Sequence, residues 1–211
     1  MSLTEEVGAI LLAERAFEDR PLTEQALADQ FGTSRTPIRE ALLELENQEV
    51  VVRRQRKGVY LRVPAVSEID ELYEVRASLE GLAARRVARS ARPVDIDHLY
   101  RLSRQYEEET RRGQWPRADE LDGQLHGFIV KVSGNGLLIR TLSGFAMMKR
   151  AFFLNHQPYS VGVPGDNAVS HEQIIQSIAD GDAEGAELLM RRHILDAGGR
   201  IINAVAEAAD G

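Results

Sequence analysis

Residues 22–45 read LTEQALADQFGTSRTPIREALLEL and decide the fold of the N-terminal part of the chain. Apolar residues recur there at the intervals expected of two short helices that each bury one face. Gly32 suits the turn between them because glycine tolerates a positive φ. Ser34 is the expected N-cap of the second helix, and Pro37 falls in its first turn, where a missing N–H costs little. The pattern predicts a helix-turn-helix, and the alternative is an ordinary αα-hairpin with a solvated basic face.

The second helix of this motif begins with side chains suited to DNA. Arg35, Thr36 and Arg39 project from the side opposite Ile38 and Leu42. A helix-turn-helix places the N-terminal residues of its second helix against base edges and phosphates. We therefore expect these three side chains to face DNA.

A cationic hairpin follows in residues 50–63, which read VVVRRQRKGVYLRV. Residues 50–52 and 59–63 are rich in the β-branched and aromatic residues that strands prefer. Between them lie four cations and a glycine: Arg53, Arg54, Arg56, Lys57 and Gly58. Such a tip can approach a phosphate backbone closely. A hairpin of this kind directly after a helix-turn-helix predicts a winged helix.

These segments together resemble the GntR family of bacterial transcription factors. The resemblance lies in SRTPIREAL (34–42), the preceding LTEQALADQFG and the wing RRQRKGVYLRV. It implies that the recognition helix contacts an operator and that Gly58 lies at the wing tip in the minor groove. The expected DNA-binding residues are Arg35, Thr36, Arg39, Arg54, Lys57 and Gly58.

Three positions depart from the family pattern. Gln25 stands where the family often has an arginine, so one DNA contact is in doubt. Arg20-Pro21 replaces the usual Pro-Gly before the motif, and Glu49 replaces the usual glycine after the recognition helix. The last two changes affect turns more than recognition.

Composition fits a two-domain cytoplasmic protein. The chain has 211 residues, no cysteine and a net charge of −7, with no apolar run near the length of a membrane span and no signal peptide. The net charge is a poor guide to DNA binding, because residues 35–62 carry seven cations against four anions. We expect a DNA-binding domain over 1–64, an effector-binding and dimerisation domain over 67–208, and no membrane association.

The C-terminal part is expected to be an all-α antiparallel bundle of six or seven helices. Ser67 is a plausible N-cap for the first, Asp180-Gly181-Asp182 is a sharp helix end, and the longest loop is expected at 158–165. The predicted helices span 67–90, 93–112, 115–133, 136–155, 167–180 and 182–208.

One carboxylate and three imidazoles in this bundle could converge. Asp122 and His126 are four residues apart, which places them on one helix face, while His171 and His193 lie on later helices. Such a ligand set suits Zn²⁺, Mn²⁺, Fe²⁺ or Ni²⁺ and leaves coordination positions open. On spacing alone, a partly buried polar patch is the simpler interpretation.

The bundle also resembles the FCD domain of the FadR-like branch of the GntR family. The resemblance lies in residues 73–88, 122–135 and 171–193. It implies a divalent metal held by Asp122, His126, His171 and His193, with Zn²⁺ as the expected ion. His98 and His156 do not fit this set and are expected at the surface or a helix end.

A small organic acid is the expected effector, because a carboxylate can coordinate a metal and pair with an arginine. Arg76 matches an arginine of the family's effector cavity; the alternative is a surface ion pair with Glu80. Asn135 could line the same cavity or cap a helix. No residue selects among sugar acids, hydroxy acids, dicarboxylates and simple carboxylates.

The sequence therefore predicts a homodimeric transcriptional regulator of double-stranded operator DNA, without enzymatic activity. One alternative is a metal-dependent enzyme that uses the Asp/His site, with Glu172 as the nearest candidate base. The other is a regulator whose metal is purely structural.

Overall fold

The computed structural model describes residues 2–54, 57–156 and 170–210. Within them it contains nine helices and one two-stranded sheet. In chain order these are α1 (Leu3–Ala13), α2 (Glu24–Phe31), α3 (Arg35–Asn47), β1 (Val51–Arg54), β2 (Gly58–Leu61), α4 (Val66–Ala88), α5 (Pro93–Arg111), α6 (Trp115–Val132), α7 (Gly136–His156), α8 (His171–Ala179) and α9 (Ala183–Asp210). The described residues form two compact units, one of residues 2–54, 57–65 and 143–156 and the other of residues 66–142 and 170–210.

The first unit contains the predicted helix-turn-helix. Thr23 caps α2 by accepting a hydrogen bond from the backbone N–H of Ala26, and Gly32 ends the helix with φ +60°. Leu27, Ile38 and the other apolar positions of α2 and α3 are buried, as their spacing predicts. Ser34 occupies the N-cap position of α3, but its side chain makes no capping hydrogen bond. The predicted N-cap position is therefore correct, but the capping hydrogen bond expected of a serine there is not formed.

The wing is an antiparallel hairpin in which Val51 pairs with Leu61 and Arg54 with Gly58. The strands differ from the predicted ranges 50–52 and 59–63. Backbone pairing with β2 continues to Arg54 in β1, and β2 begins at Gly58 and ends at Leu61. A further bridge pairs Leu22 with Val59. Arg56, one of the expected wing-tip cations, lies outside the described residues. The observed order of elements confirms the predicted winged helix.

Helix α1 precedes the motif and was not predicted. Ser2 accepts a hydrogen bond from the N–H of Glu5, whose carboxylate accepts one from the N–H of Ser2. Val7 and Leu11 are fully buried. Thr4 donates a hydrogen bond of 2.6 Å to Glu44 of α3. Helix α1 therefore belongs to the core of the winged-helix unit.

The second unit is built from α4 to α9, of which α7 contributes only residues 136–142. The all-α prediction is confirmed, and most observed helix ends lie within two residues of those predicted. Helix α4 begins at Val66, so Ser67 lies inside the helix and is not its cap. Helix α8 begins at His171 after a capping box formed by Ser170 and Gln173, later than the predicted start at 167. The loop expected at 158–165 lies outside the described residues.

Helices α4 and α9 pack antiparallel at close range. A Cβ atom on Gly198 would lie 2.7 Å from Cγ of Tyr73, and one on Gly81 would lie 3.2 Å from the carbonyl oxygen of Glu187. Both glycines therefore allow an approach that a larger residue would prevent. Arg85 of α4 adds an ion pair of 3.0 Å with Glu187. Within the described ranges, no helix has both the length and the apolar character needed to cross a membrane.

The turn after the recognition helix is strained at Glu49. This residue adopts φ +57°, a left-handed conformation that glycine tolerates and other residues rarely adopt. Its carboxylate lies 3.7 Å from Arg62, but the Glu49 side chain is largely exposed, so the pair contributes little. The substitution of glycine by Glu49, noted in the sequence, therefore leaves the turn intact and adds strain.

We predict that Glu49→Gly stabilises the protein by about 1 kcal/mol, because glycine removes the left-handed strain. Glu40→Gly is the matched control, since Glu40 is exposed in the interior of α3, where glycine destabilises a helix by about 1 kcal/mol. Urea unfolding monitored by circular dichroism measures both changes. A lower midpoint for Glu49→Gly than for the unsubstituted protein would contradict the strain assignment.

Candidate metal centre and DNA-binding surface

Four ligand-type side chains come together inside the second unit. Asp122, His126, His171 and His193 each offer one donor atom, and these atoms all lie within 4.8 Å of one another. Oδ1 of Asp122 is 3.5 Å from Nε2 of His126 and 3.3 Å from Nε2 of His171. Nε2 of His126 is 3.3 Å from Nε2 of His193. The structure thus brings together all four residues of the expected metal set.

Three helices position these side chains. Asp122 and His126 share one face of α6 because they are four residues apart. His171 is the first residue of α8, whose start is fixed by Ser170. His193 lies on α9 between the buried residues Met190 and Ile194. The apolar faces that form the core therefore also direct the imidazoles inward.

The cluster has the chemistry of a divalent metal site. The three imidazoles are buried, with exposures of 5%, 3% and 1% for His126, His171 and His193. Ligand atoms at about 2.0–2.1 Å from a tetrahedral ion lie about 3.3 Å apart. The Asp122–His171, Asp122–His126 and His126–His193 donor atoms, at 3.3, 3.5 and 3.3 Å, are close to this spacing, within a set that spans up to 4.8 Å. The Nε2 atoms of His126 and His193 face each other, and two neutral imidazoles in this arrangement can ligate one cation. The residues present therefore fit a metal.

A buried glutamate that the sequence did not indicate as part of the site completes this arrangement. Oε2 of Glu80 lies 2.7 Å from Nδ1 of His126, and Oε1 accepts a hydrogen bond of 2.8 Å from Nε of Arg76. Glu80 and His126 are 46 positions apart, so no local spacing could have revealed their contact. The Arg76–Glu80 ion pair considered from the sequence exists, but it is buried and not on the surface.

Electrostatics in the cluster favour positive charge at His126. Burial opposes the charged imidazole, but the carboxylates of Asp122 and Glu80 outweigh it and raise the pKa of His126 to about 9. Burial likewise opposes ionisation of Glu80, yet Arg76 and His126 lower the pKa of Glu80 to about 2. Burial lowers the pKa of His171. The negative charges of Asp122 and Glu80, which favour a proton on His126, would also favour a metal cation bound beside its ring.

The two expected effector residues differ in their surroundings. Arg76 is 7% exposed, its guanidinium lies 4.7 Å from the ring centre of Tyr73, and the charge of Asp122 acts on it. Asn135 caps α7, because its Oδ1 accepts hydrogen bonds from the N–H groups of Leu137 and Leu138. The structure therefore places Arg76 beside the cluster and gives Asn135 the capping role that was its alternative.

The remaining two histidines lie apart from the cluster. His98 packs against the ring of Phe128 at 4.3 Å. His156 ends α7, where its Nδ1 is 3.2 Å from the carbonyl oxygen of Phe152. His156 therefore lies at a helix end, as expected, whereas His98 is half-buried inside α5 and not fully at the surface.

The recognition helix exposes the expected side chains. Arg35 and Thr36 are exposed at the start of α3. The side chain of Arg39 is 56% exposed and donates a hydrogen bond of 2.8 Å to Glu24 at the start of α2. Glu24 also lies 3.5 Å from Arg53. Glu24 thus holds two cations, and sequence reasoning missed this role.

The wing presents Lys57 and Arg54 as exposed cations, and Arg54 forms an ion pair with Glu18. Gly58 has φ +98°, and a Cβ atom there would lie 2.6 Å from the carbonyl oxygen of Leu22. Its neighbour Val59 exchanges backbone hydrogen bonds with Leu22 at 2.8 and 2.9 Å. Packing of the wing against the chain before α2 therefore requires glycine at position 58.

A winged helix joined to a helical unit with a buried Asp/His cluster defines a class of two-domain transcriptional regulators. Residues 6–61 match the model of the bacterial regulatory proteins of the gntR family, and residues 71–196 match the FCD domain. The chain belongs to the GntR family, in the branch that carries an FCD domain.

Curated relatives and solved structures agree with this assignment. The chain is 27% identical over 177 residues to the "Probable D-xylose utilization operon transcriptional repressor" of Paenarthrobacter nicotinovorans, covering 82% of this chain and 76% of the relative. It is 32% identical over 123 residues to the Nta operon transcriptional regulator of Aminobacter aminovorans, covering 57% of each. Its fold is similar to that of E. coli McbR/YncC, with a TM-score of 0.71, 19% identity and 99% coverage of both chains.

The matched family and these relatives are transcriptional regulators. This confirms the prediction of a DNA-binding regulator that is not an enzyme. The metal-dependent enzyme considered from the Asp/His pattern is therefore set aside.

We predict that Gly58→Ala destabilises the protein by about 1–3 kcal/mol, because the new Cβ meets the Leu22 carbonyl and the backbone is left-handed. Gly123→Ala is the control, since a Cβ at Gly123, inside α6, meets nothing within 4 Å. Thermal unfolding compares the two variants. Equal unfolding temperatures for Gly58→Ala and the unsubstituted protein would show that the wing accommodates a side chain there.

Proposed function

We propose that the protein is a transcriptional regulator whose helical unit binds a divalent metal and a small carboxylate that together set its affinity for operator DNA. The observation that carries this proposal is the buried cluster of Asp122, His126, His171 and His193. When bound, the ion supplies a Lewis-acid centre that a carboxylate oxygen can coordinate. Zn²⁺ is the first choice, with Mn²⁺, Ni²⁺ and Fe²⁺ as the alternatives.

Charge balance supports an anionic effector. In the buried site, Arg76 and a divalent ion contribute three positive charges, while Glu80 and Asp122 contribute two negative charges. With neutral imidazoles, one positive charge is left without a partner among these groups. A buried charge is costly unless it is paired, so a monoanion that enters the site relieves this excess.

Coordination chemistry supports a carboxylate as that anion. Four protein ligands leave two positions free on a six-coordinate ion, and Zn²⁺ can expand to five ligands. Arg76 donates through Nε to Glu80, and its guanidinium has further N–H groups that can pair with a carboxylate. Asn135 is a weaker candidate for contact with the carboxylate because its Oδ1 caps α7.

Operator binding is assigned to the winged helix. Arg35, Thr36 and Arg39 on α3 are the proposed base and phosphate contacts, and Arg54, Lys57 and Gly58 are the proposed wing contacts. The exposure of the two arginines and the threonine at the start of α3 supports this assignment. Arg39 exchanges Glu24 for DNA when the complex forms.

A homodimer is proposed because one recognition helix reads only one half-site. Helices α4 and α9 each carry two exposed apolar residues seven positions apart, which places each pair on one helix face. These residues are Val75, Leu82, Leu188 and Leu195. Exposed apolar patches are a mark of association surfaces, so this region is the proposed contact between two copies. We assign DNA binding to a domain of residues 1–64, and effector binding and dimerisation to a domain of residues 67–208. A cytoplasmic location is proposed because operator DNA lies there.

We predict that Arg39→Ala weakens operator binding about 5- to 150-fold, the equivalent of about 1–3 kcal/mol for a lost base contact. Arg104→Ala on α5 is the control, because it removes the same charge from an exposed position in the other unit. Fluorescence anisotropy with a duplex selected from a random library measures the affinities. Unchanged affinity in Arg39→Ala would remove α3 from the operator contact.

The effector proposal is tested by titrating acetate, L-lactate, malate and gluconate into the protein–operator complex. In Zn²⁺-loaded protein, at least one of these acids should change operator affinity by about fivefold or more. His171→Ala should lose the metal and this response while its winged helix still binds operator. If none of the acids acts and chelation leaves operator affinity unchanged, the metal is structural, as the alternative interpretation holds.

A further inference from the structure

Glu80 lies at the centre of a buried hydrogen-bonded chain that joins two helices. On α4, Nε of Arg76 donates a hydrogen bond of 2.8 Å to Oε1 of Glu80. Toward α6, Oε2 of Glu80 lies 2.7 Å from Nδ1 of His126. The exposures of Arg76, Glu80 and His126 are 7%, 4% and 5%. Each carboxylate oxygen therefore has its own buried partner.

The hydrogen bond to Nδ1 decides which way the His126 ring faces. A carboxylate accepts a hydrogen bond from Nδ1–H, so the other ring nitrogen, Nε2, is the one directed at the cluster. Nε2 lies 3.5 Å from Oδ1 of Asp122 and 3.3 Å from Nε2 of His193. Rotation of the ring would break the bond to Glu80 and withdraw a ligand atom from the site.

We propose that Glu80 is the positioning residue of this metal centre, fixing the His126 imidazole through one carboxylate oxygen and holding Arg76 beside the site through the other. The inference rests on the metal site of the proposed function. Removing a group that hydrogen-bonds the non-ligating nitrogen of a metal-bound histidine is expected to weaken metal binding about 10- to 100-fold.

The pair Arg76–Glu80 is also a charge pair, so orientation and charge must be separated. Removing Glu80 alone would leave Arg76 as an unpaired buried cation near the ion. Two double variants avoid this, because each removes both charges. Arg76→Met with Glu80→Gln retains a hydrogen-bond acceptor for His126, and Arg76→Met with Glu80→Met does not.

The experiment is a Zn²⁺ titration of the full chain and both double variants by calorimetry against a competing chelator. The variant with Met at both positions should bind Zn²⁺ about 10- to 100-fold more weakly than the variant with Gln at position 80. Affinities of the two double variants that agree within about twofold would overturn the positioning role, since a tenfold change is the smallest expected.

Co²⁺ absorption gives a second measurement that does not depend on operator binding. The Arg76→Met, Glu80→Gln variant should show the visible bands of the unsubstituted protein, because the His126 ring keeps its orientation. This variant carries the test alone if the other does not fold. The inference would be overturned if this variant had a shifted spectrum or bound Zn²⁺ more than about tenfold more weakly than the unsubstituted protein. Either result would show that the buried charges, and not the hydrogen bond to His126, determine metal binding.

The metal site and the role of Glu80 can fail independently in these measurements. Unsubstituted protein that binds neither Zn²⁺ nor Co²⁺ would refute the metal site of the proposed function. Tight binding by the unsubstituted protein with no difference between the double variants would refute only the role of Glu80.

Discussion

Charges buried in the helical unit must be compensated there, because water cannot reach them. Arg76 and Glu80 satisfy this constraint between themselves, and His126 joins them through Nδ1. Removing one partner of such a group usually costs several kcal/mol, whereas the intact group adds little to stability. The hydrogen bonds that join Arg76, Glu80 and His126 therefore fix the positions of these side chains more than they stabilise the fold. That geometry places an imidazole nitrogen where Asp122 and two further histidines converge.

The winged-helix unit carries exposed positive charge on a protein whose net charge is negative. The chain carries a net charge of −7, yet its recognition helix and wing present exposed arginines and a lysine. Glu24 pairs with Arg39 and lies near Arg53, and the hydrogen bond from Arg39 lowers the pKa of Glu24. Since Arg39 is exposed, this pair is weak and can exchange for a phosphate or base edge. Affinity for DNA thus depends on where the charges lie and not on their sum.

Local sequence pattern predicts structure best where the deciding interactions act over a few residues. The helix-turn-helix, the wing and most helix ends followed from apolar spacing, glycines and prolines, because these features act over a few residues. Helix α1 was missed although Ser2 and Glu5 form a recognisable capping box. Ser67 was a plausible cap, but α4 begins one residue earlier, because local propensity does not fix the exact end of a helix.

The site was predictable only in part. Asp122 and His126 could be paired from their spacing, whereas the convergence of His171 and His193 depends on how α6, α8 and α9 pack. The family resemblance supplied that convergence before the structure did. Glu80 could not be found from spacing, because its contact with His126 joins two helices far apart in sequence. Glu49 was recognised as a departure from the family, but its left-handed conformation emerged only from the structure.

The function proposed for the helical unit requires that the buried cluster holds a divalent cation. Elemental mass spectrometry of the purified protein, with Asp122→Ala purified in parallel, tests this most directly. We expect about one metal ion per chain, retained through dialysis and lost in the variant. Protein that carries no metal after chelator-free purification, and takes up no added Zn²⁺, Mn²⁺ or Ni²⁺, would contradict it and leave the cluster as a buried polar network.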